Sequence, residues 1–173
     1  MTGPDRWAAV TALLGGEAFD QFLIPGYTDH EKKDDFRIFP FSVFLRAGGK
    51  YLRLSSVDQG DQLELDVRDA IDHDPSLVED DDVTPGVVDL TSLYFGEVET
   101  VRCRELVVHL NGRSSLLDGR VKYAELVLDG GQRILFDPLW TFGVRAIPSG
   151  SPDWLDRHAE AGQPLHVERW SRD

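Results

Sequence analysis

Eight carboxylates crowd one stretch of 17 residues: Asp66, Asp69, Asp72, Asp74, Glu79, Asp80, Asp81 and Asp82. Two kinds of chemistry use acidic side chains at that density. A hard cation such as calcium takes several oxygen ligands, but the loop glycine and twelfth-position glutamate of an EF-hand are missing, so no bound metal is expected. The other chemistry acts at long range: clustered carboxylates imitate the charge of a phosphate backbone and draw in a basic protein surface. Residues 58–89 hold twelve acids against one base, Arg68, which concentrates −11 of the net −13 in that window. A field of that sign repels phosphates, so direct binding of DNA or RNA is not expected. The plainer reading is a solvated acidic face that maintains solubility.

A second concentration of side chains is Phe136-Asp137-Pro138-Leu139-Trp140-Thr141-Phe142-Gly143. Asp137, held extended by the proline after it, reads either as a buried functional carboxylate or as an acceptor for turn amides. Trp140 and Phe142 either line a pocket together with Tyr123 or fill core. The histidines His30, His73, His109, His158 and His166 lack the H-x-H or H-E-x-x-H spacing that aims two nitrogens at one zinc. His73 stands between Asp72 and Asp74, whose charge favours an imidazolium, although a solvated ring is the simpler reading. Cys103 is the single cysteine, which excludes an internal disulfide, and its alternation with Val101 marks it as a small buried apolar residue. No G-x-G-x-x-G, phosphate loop or G-x-S-x-G elbow occurs, so neither a cofactor nor a catalytic residue is expected.

The elements that must position these groups announce themselves by period. Pro4, Asp5 and the helical spacing of Trp7, Val10 and Leu13/Leu14 predict a first helix, stopped by Gly15 and Gly16. Phe19, Phe22, Leu23 and Ile24 suggest another helical turn ended by Pro25-Gly26, and the mixed charges of Asp29 to Arg37 an exposed connection. From Phe41 the period is two, with Gly48-Gly49 turning a hairpin between Leu45 and Leu52, and Leu63, Leu65 and Val67 forming a third strand. Asp69 to Asp82 then reads as a long loop. Val101 and Cys103 have the opposite parity to Leu106, Val108 and Leu110, so a strand there needs a bulge near Arg104-Glu105. A second hairpin runs from Val121 to Leu128, through Asp129-Gly130-Gly131, to Ile134–Phe136. Val144 to Ile147 adds a strand, Ser151-Pro152-Asp153 caps a helix closed by Gly162, and Leu165 to Trp170 is a closing strand.

The sum is a mainly β chain, α+β by strict count: an antiparallel barrel or two-layer sandwich of about seven or eight strands, with short helices at the N- and C-terminal ends. Asp outnumbers Glu by 21 to 10, which suits turns better than helix surfaces. Residues 1–173 are expected to form a single domain, with a helical and loop segment over 1–40, a β core over 41–148 and a C-terminal helix and strand over 149–173. No basic leader precedes a long apolar run and no stretch is long enough to cross a bilayer, so a cytoplasmic protein off the membrane is expected. Arg exceeds Lys by 14 to 4, in keeping with a GC-rich bacterial genome.

In size, acidity and β content the chain resembles bacterial immunity and antitoxin-type proteins, many of which neutralise basic toxins by binding them. That resemblance implies a non-enzymatic interaction module that docks a basic protein partner through the eight carboxylates named above. Two alternatives come from other classes. One is a β-barrel holding a small apolar ligand in its mouth; the other is a hydrolase whose carboxylate pair is assembled from distant strands.

Overall fold

In the computed structural model the N-terminal helix signal becomes α1 (Arg6–Gly16), and Asp5 is its N-cap, accepting the Ala8 N–H at 3.0 Å. Val10, Leu13 and Leu14 are its buried stripe. The structure describes residues 5–32, 35–74, 82–140, 143–148 and 165–173. The helix expected after Ser151 lies outside them.

The segment expected to make a second helical turn is instead β1 (Phe19–Asp29). Phe22 and Ile24 face the core while Leu23 is buried on the other side, so both faces are covered and no polar alternation marks the strand. Pro25 is tolerated because its missing donor falls at a break in the neighbouring ladder, while its carbonyl accepts the Phe39 N–H at 2.8 Å. That break separates β2 (Asp35–Ile38) from β3 (Ser42–Ala47), both antiparallel to β1. Asp29 and Asp35 to Arg37 of the expected exposed connection are therefore strand, and residues 1–40 are not the helical and loop segment foreseen.

The Gly48-Gly49 hairpin joins β3 to β4 (Lys50–Val57), both glycines taking positive φ, 56° and 80°. β5 (Gln62–Arg68) completes the meander. A strand not foreseen, β6 (Val83–Asp89), pairs along the far side of β1 despite Pro85 and Gly86. The short α2 (Thr91–Phe95) then packs against β1 and buries Phe95. β7 (Cys103–Leu110) carries the expected bulge, its register shifting between Cys103 and Glu105. β8 (Arg120–Val121) joins β5, while β9 (Tyr123–Leu128) pairs with β7 and with β10 (Arg133–Trp140). β11 (Gly143–Pro148) and β12 (His166–Ser171) finish the set.

The result is a seven-stranded sheet, β2-β1-β3-β4-β5-β8 with β6 added beside β1, and a five-stranded sheet, β11-β10-β9-β7-β12. Both are antiparallel and they do not close on each other, so the architecture is the sandwich and the barrel alternative is set aside. Among the described residues twelve strands occur, more than the seven or eight expected. The core lies between the sheets, with Phe22, Leu45, Leu54 and Leu65 facing Leu106, Leu126 and Phe136. The chain passes from one sheet to the other at Lys122, between β8 and β9.

Candidate functional site

β4 and β5 turn alternate residues away from the core, and on that outer face Arg53 stands in register with Asp66. Its Nε and Nη2 each lie 2.8 Å from a different Asp66 oxygen, a two-pronged pair. Arg53 Nη1 also reaches Asp72 at 3.2 Å and Nη2 reaches Glu64 at 3.4 Å. Arg68 meets Asp66 at 2.8 Å, and Arg6 of α1 meets Glu64 at 2.7 Å. At the other end of β5, Asp61 is held by Lys122 at 2.9 Å and Arg113 at 2.6 Å, and the bond from Lys122 lowers its pKa. Asp58 lies near Arg113 and Arg120, and Asp69 near Lys50.

Six carboxylates of the acidic window are thus countered by seven cations drawn from α1, β4, β5, β8, the loop at Arg113 and the crossover at Lys122. This half of the window pins α1 and the 111–120 loop to the large sheet. Asp66, 6% exposed, is an internal partner of Arg53 and Arg68 and does not belong on a docking face. Asp69, Asp72, Asp74 and Asp82 are exposed; Glu79, Asp80 and Asp81 lie outside the described residues.

After β5 the chain turns back over the same outer face and encloses a cavity of about 300 Å³. Phe39, Phe41, Arg53, Asp72, His73 and Asp74 are among the residues that line it. The two phenyl rings are 4.7 Å apart and Tyr27 abuts Phe39 edge-on at 6.4 Å. The lining sets one arginine, Arg53, against two carboxylates, Asp72 and Asp74, and Arg53 is shared among Asp72, Asp66 and Glu64. Carboxylates and aromatic rings lining one cavity suit the head of a lysine or arginine side chain. His73 Nδ1 is buried with no hydrogen-bond partner among the described residues. Phe39 and Phe41 escaped the sequence reading as site residues; their signal was the Phe39-Pro40-Phe41 triplet, which interrupts a strand with aromatics on both sides of a proline.

Tyr123 and Asp137, expected to line a pocket, do come near each other, but inside the molecule. Tyr123 is 1% and Asp137 0% exposed. His109 is the cross-strand partner of Tyr123, their rings meeting edge-on at 6.4 Å. The Phe136–Ala124 register, continued by one residue, sets Asp137 level with Tyr123, and Arg145 pairs with Asp137 from β11, donating from Nη2 at 2.5 Å. A polar row, His109, Tyr123, Asp137 and Arg145, therefore crosses the small sheet on its outer face. Parity of Leu106 and Val108 would have placed His109 there. Phe142 and the side chain of Trp140 lie outside the described residues, among which the two sheets form no barrel mouth for Tyr123 to line.

Burial lowers the His109 pKa, Glu125 partly opposing the effect, and pushes the Cys103 thiol up to about 12. His30 bonds Thr84 at 2.8 Å and His166 bonds Glu168 at 2.7 Å. Among the described residues no three His, Cys, Asp or Glu side chains converge as a metal site, and no helix is long and apolar enough to cross a membrane. Compared with family models, curated proteins and solved structures, the chain gives no match, so its function must be read from its own residues.

Proposed function

We propose that this chain is a non-enzymatic protein-interaction module, of the immunity or antitoxin type, which receives a basic partner at the outer face of its large sheet. The observation that carries the reading is the cavity that Asp72 and Asp74 line together with Phe39 and Phe41. Exposed Phe41 and Val87 give the surrounding surface an apolar component, and the acidic run from Asp69 to Asp82 supplies steering. A lysine or arginine of the partner fills the cavity and neighbouring basic residues meet the carboxylates beyond it.

The test is titration of the isotopically labelled protein with a basic peptide carrying one central lysine, beside the same peptide with norleucine there. Support is a set of shift changes centred on Phe39, Phe41, Asp72 and Asp74 that fades with added salt, is lost in Asp72→Asn/Asp74→Asn and is absent for norleucine. Shifts spread evenly over the surface, or unchanged in the double variant, overturn it. Affinity capture at two ionic strengths, with Phe41→Ala as a third arm, carries the same logic to the native partner.

A further inference from the structure

β2 is the outermost strand of the large sheet and pairs, among the described residues, with β1 alone. The Phe39 N–H donates to the Pro25 carbonyl. With an unbroken register from Gly26–Ile38 to Asp29–Asp35, the two-residue period turns the backbone groups of Arg37 and Asp35 toward β1. The N–H and C=O groups of Phe36 and Ile38 consequently point to the open side. All four residues are exposed, Phe36 by 41% and Ile38 by 50%. Edge strands commonly carry charge to discourage pairing. This one carries charges of opposite sign two residues apart, Asp35 and Arg37, which complement themselves.

We propose that β2 is a self-recognition edge, extended by the β2 strand of a second copy of this chain running antiparallel across a two-fold axis centred on Phe36. In that register the two Phe36 residues exchange N–H to C=O hydrogen bonds, while each ring stays over Gly26 and Gly86 of its own sheet. On the opposite face Asp35 of each chain stands across from Arg37 of the other, and symmetry makes the pair twice. These are the non-hydrogen-bonded positions, where cross-strand side chains approach most closely. Centring the axis on Arg37 stacks like charges and offers backbone groups already bonded to β1. Placing it between Phe36 and Arg37 sets Asp35 against Ile38 and loses both ion pairs. The charge pattern thus selects one register and one occupant. None of this rests on the cavity reading above.

Sedimentation of the full chain over a wide concentration range, with amide exchange at each point, decides the matter. The expected result is a reversible dimer in which the Phe36 amide slows with concentration while those of Asp35 and Arg37 do not change. Arg37→Asp or Asp35→Arg alone weakens association by about tenfold or more, and the double exchange Asp35→Arg/Arg37→Asp restores it. A wild-type chain that stays monomeric up to about 1 mM overturns the proposal. So does a dimer indifferent to Arg37→Asp, or a double exchange that fails to recover. All positions changed are on the surface, and matched thermal midpoints confirm that each variant is folded.

Discussion

The Phe36 ring occupies the space that a side chain on Gly26 would need. A Cβ on Gly26 would come within 2.6 Å of Phe36 Cζ and 2.3 Å of the Arg37 carbonyl oxygen. Gly86, the partner of Gly26 on β6, would meet the same ring at 2.9 Å. One aromatic from β2 thus covers two glycines on the neighbouring strands and supplies burial that they lack. Gly26→Ala must displace backbone as well as ring and is expected to lower stability by about 2 kcal/mol, whereas Gly86→Ala displaces a ring alone and lowers it by about 1 kcal/mol. Thermal melts of the two variants check the order.

Lys122 and Asp61 form an asymmetric pair: the Lys122 side chain is 3% exposed and that of Asp61 30%. Replacing Asp61 by Asn strands a buried ammonium and is expected to cost about 3 kcal/mol. Replacing Lys122 by Met leaves Asp61 with Arg113 and water, and the loss should stay near 1 kcal/mol. Urea unfolding of both variants tests this; equal losses would refute the asymmetry. Because the Asp61 pKa is lowered in the folded state, its stabilisation is complete above the ordinary carboxylate value and disappears as pH falls through the depressed one.

His109 runs the other way. Its folded pKa lies below the ordinary 6.5, so the unfolded chain takes up the proton first as pH drops. Stability is unaffected above that value and declines with falling pH from there down to the folded pKa. The variant His109→Gln should flatten this part of the profile below the ordinary imidazole value, read from urea midpoints, while leaving the acid limb due to carboxylates in place.

Cys103 is 0% exposed, and its thiol is raised to about 12. A thiol-specific reagent should therefore label the native protein at the rate of unfolding and the denatured protein at once. Rapid labelling without denaturant would contradict the burial.

Periodicity located the meander from Ser42 to Arg68, the β9–β10 hairpin and the bulge at Arg104, because each has one polar face and one apolar face or a defined turn. It failed at β1, where Leu23 and Ile24 are buried on opposite faces, and at β6, where Pro85 and Gly86 break any two-residue alternation and the Phe36 ring covers Gly86. The acidic window was legible as charge but not as pairing, since the cations that counter Glu64 and Asp61 come from Arg6, Arg113 and Lys122, far along the chain. Phe39 and Phe41 became site residues only when the segment after β5 folded back over them.

The direct step of the chain at Lys122 from β8 in the large sheet to β9 in the small one has a mechanical corollary. Neither layer is able to peel off while the other stays whole, since both hold the same few residues of chain. Loss of order in this protein should therefore be all-or-none, with tryptophan fluorescence and backbone circular dichroism tracing one shared transition.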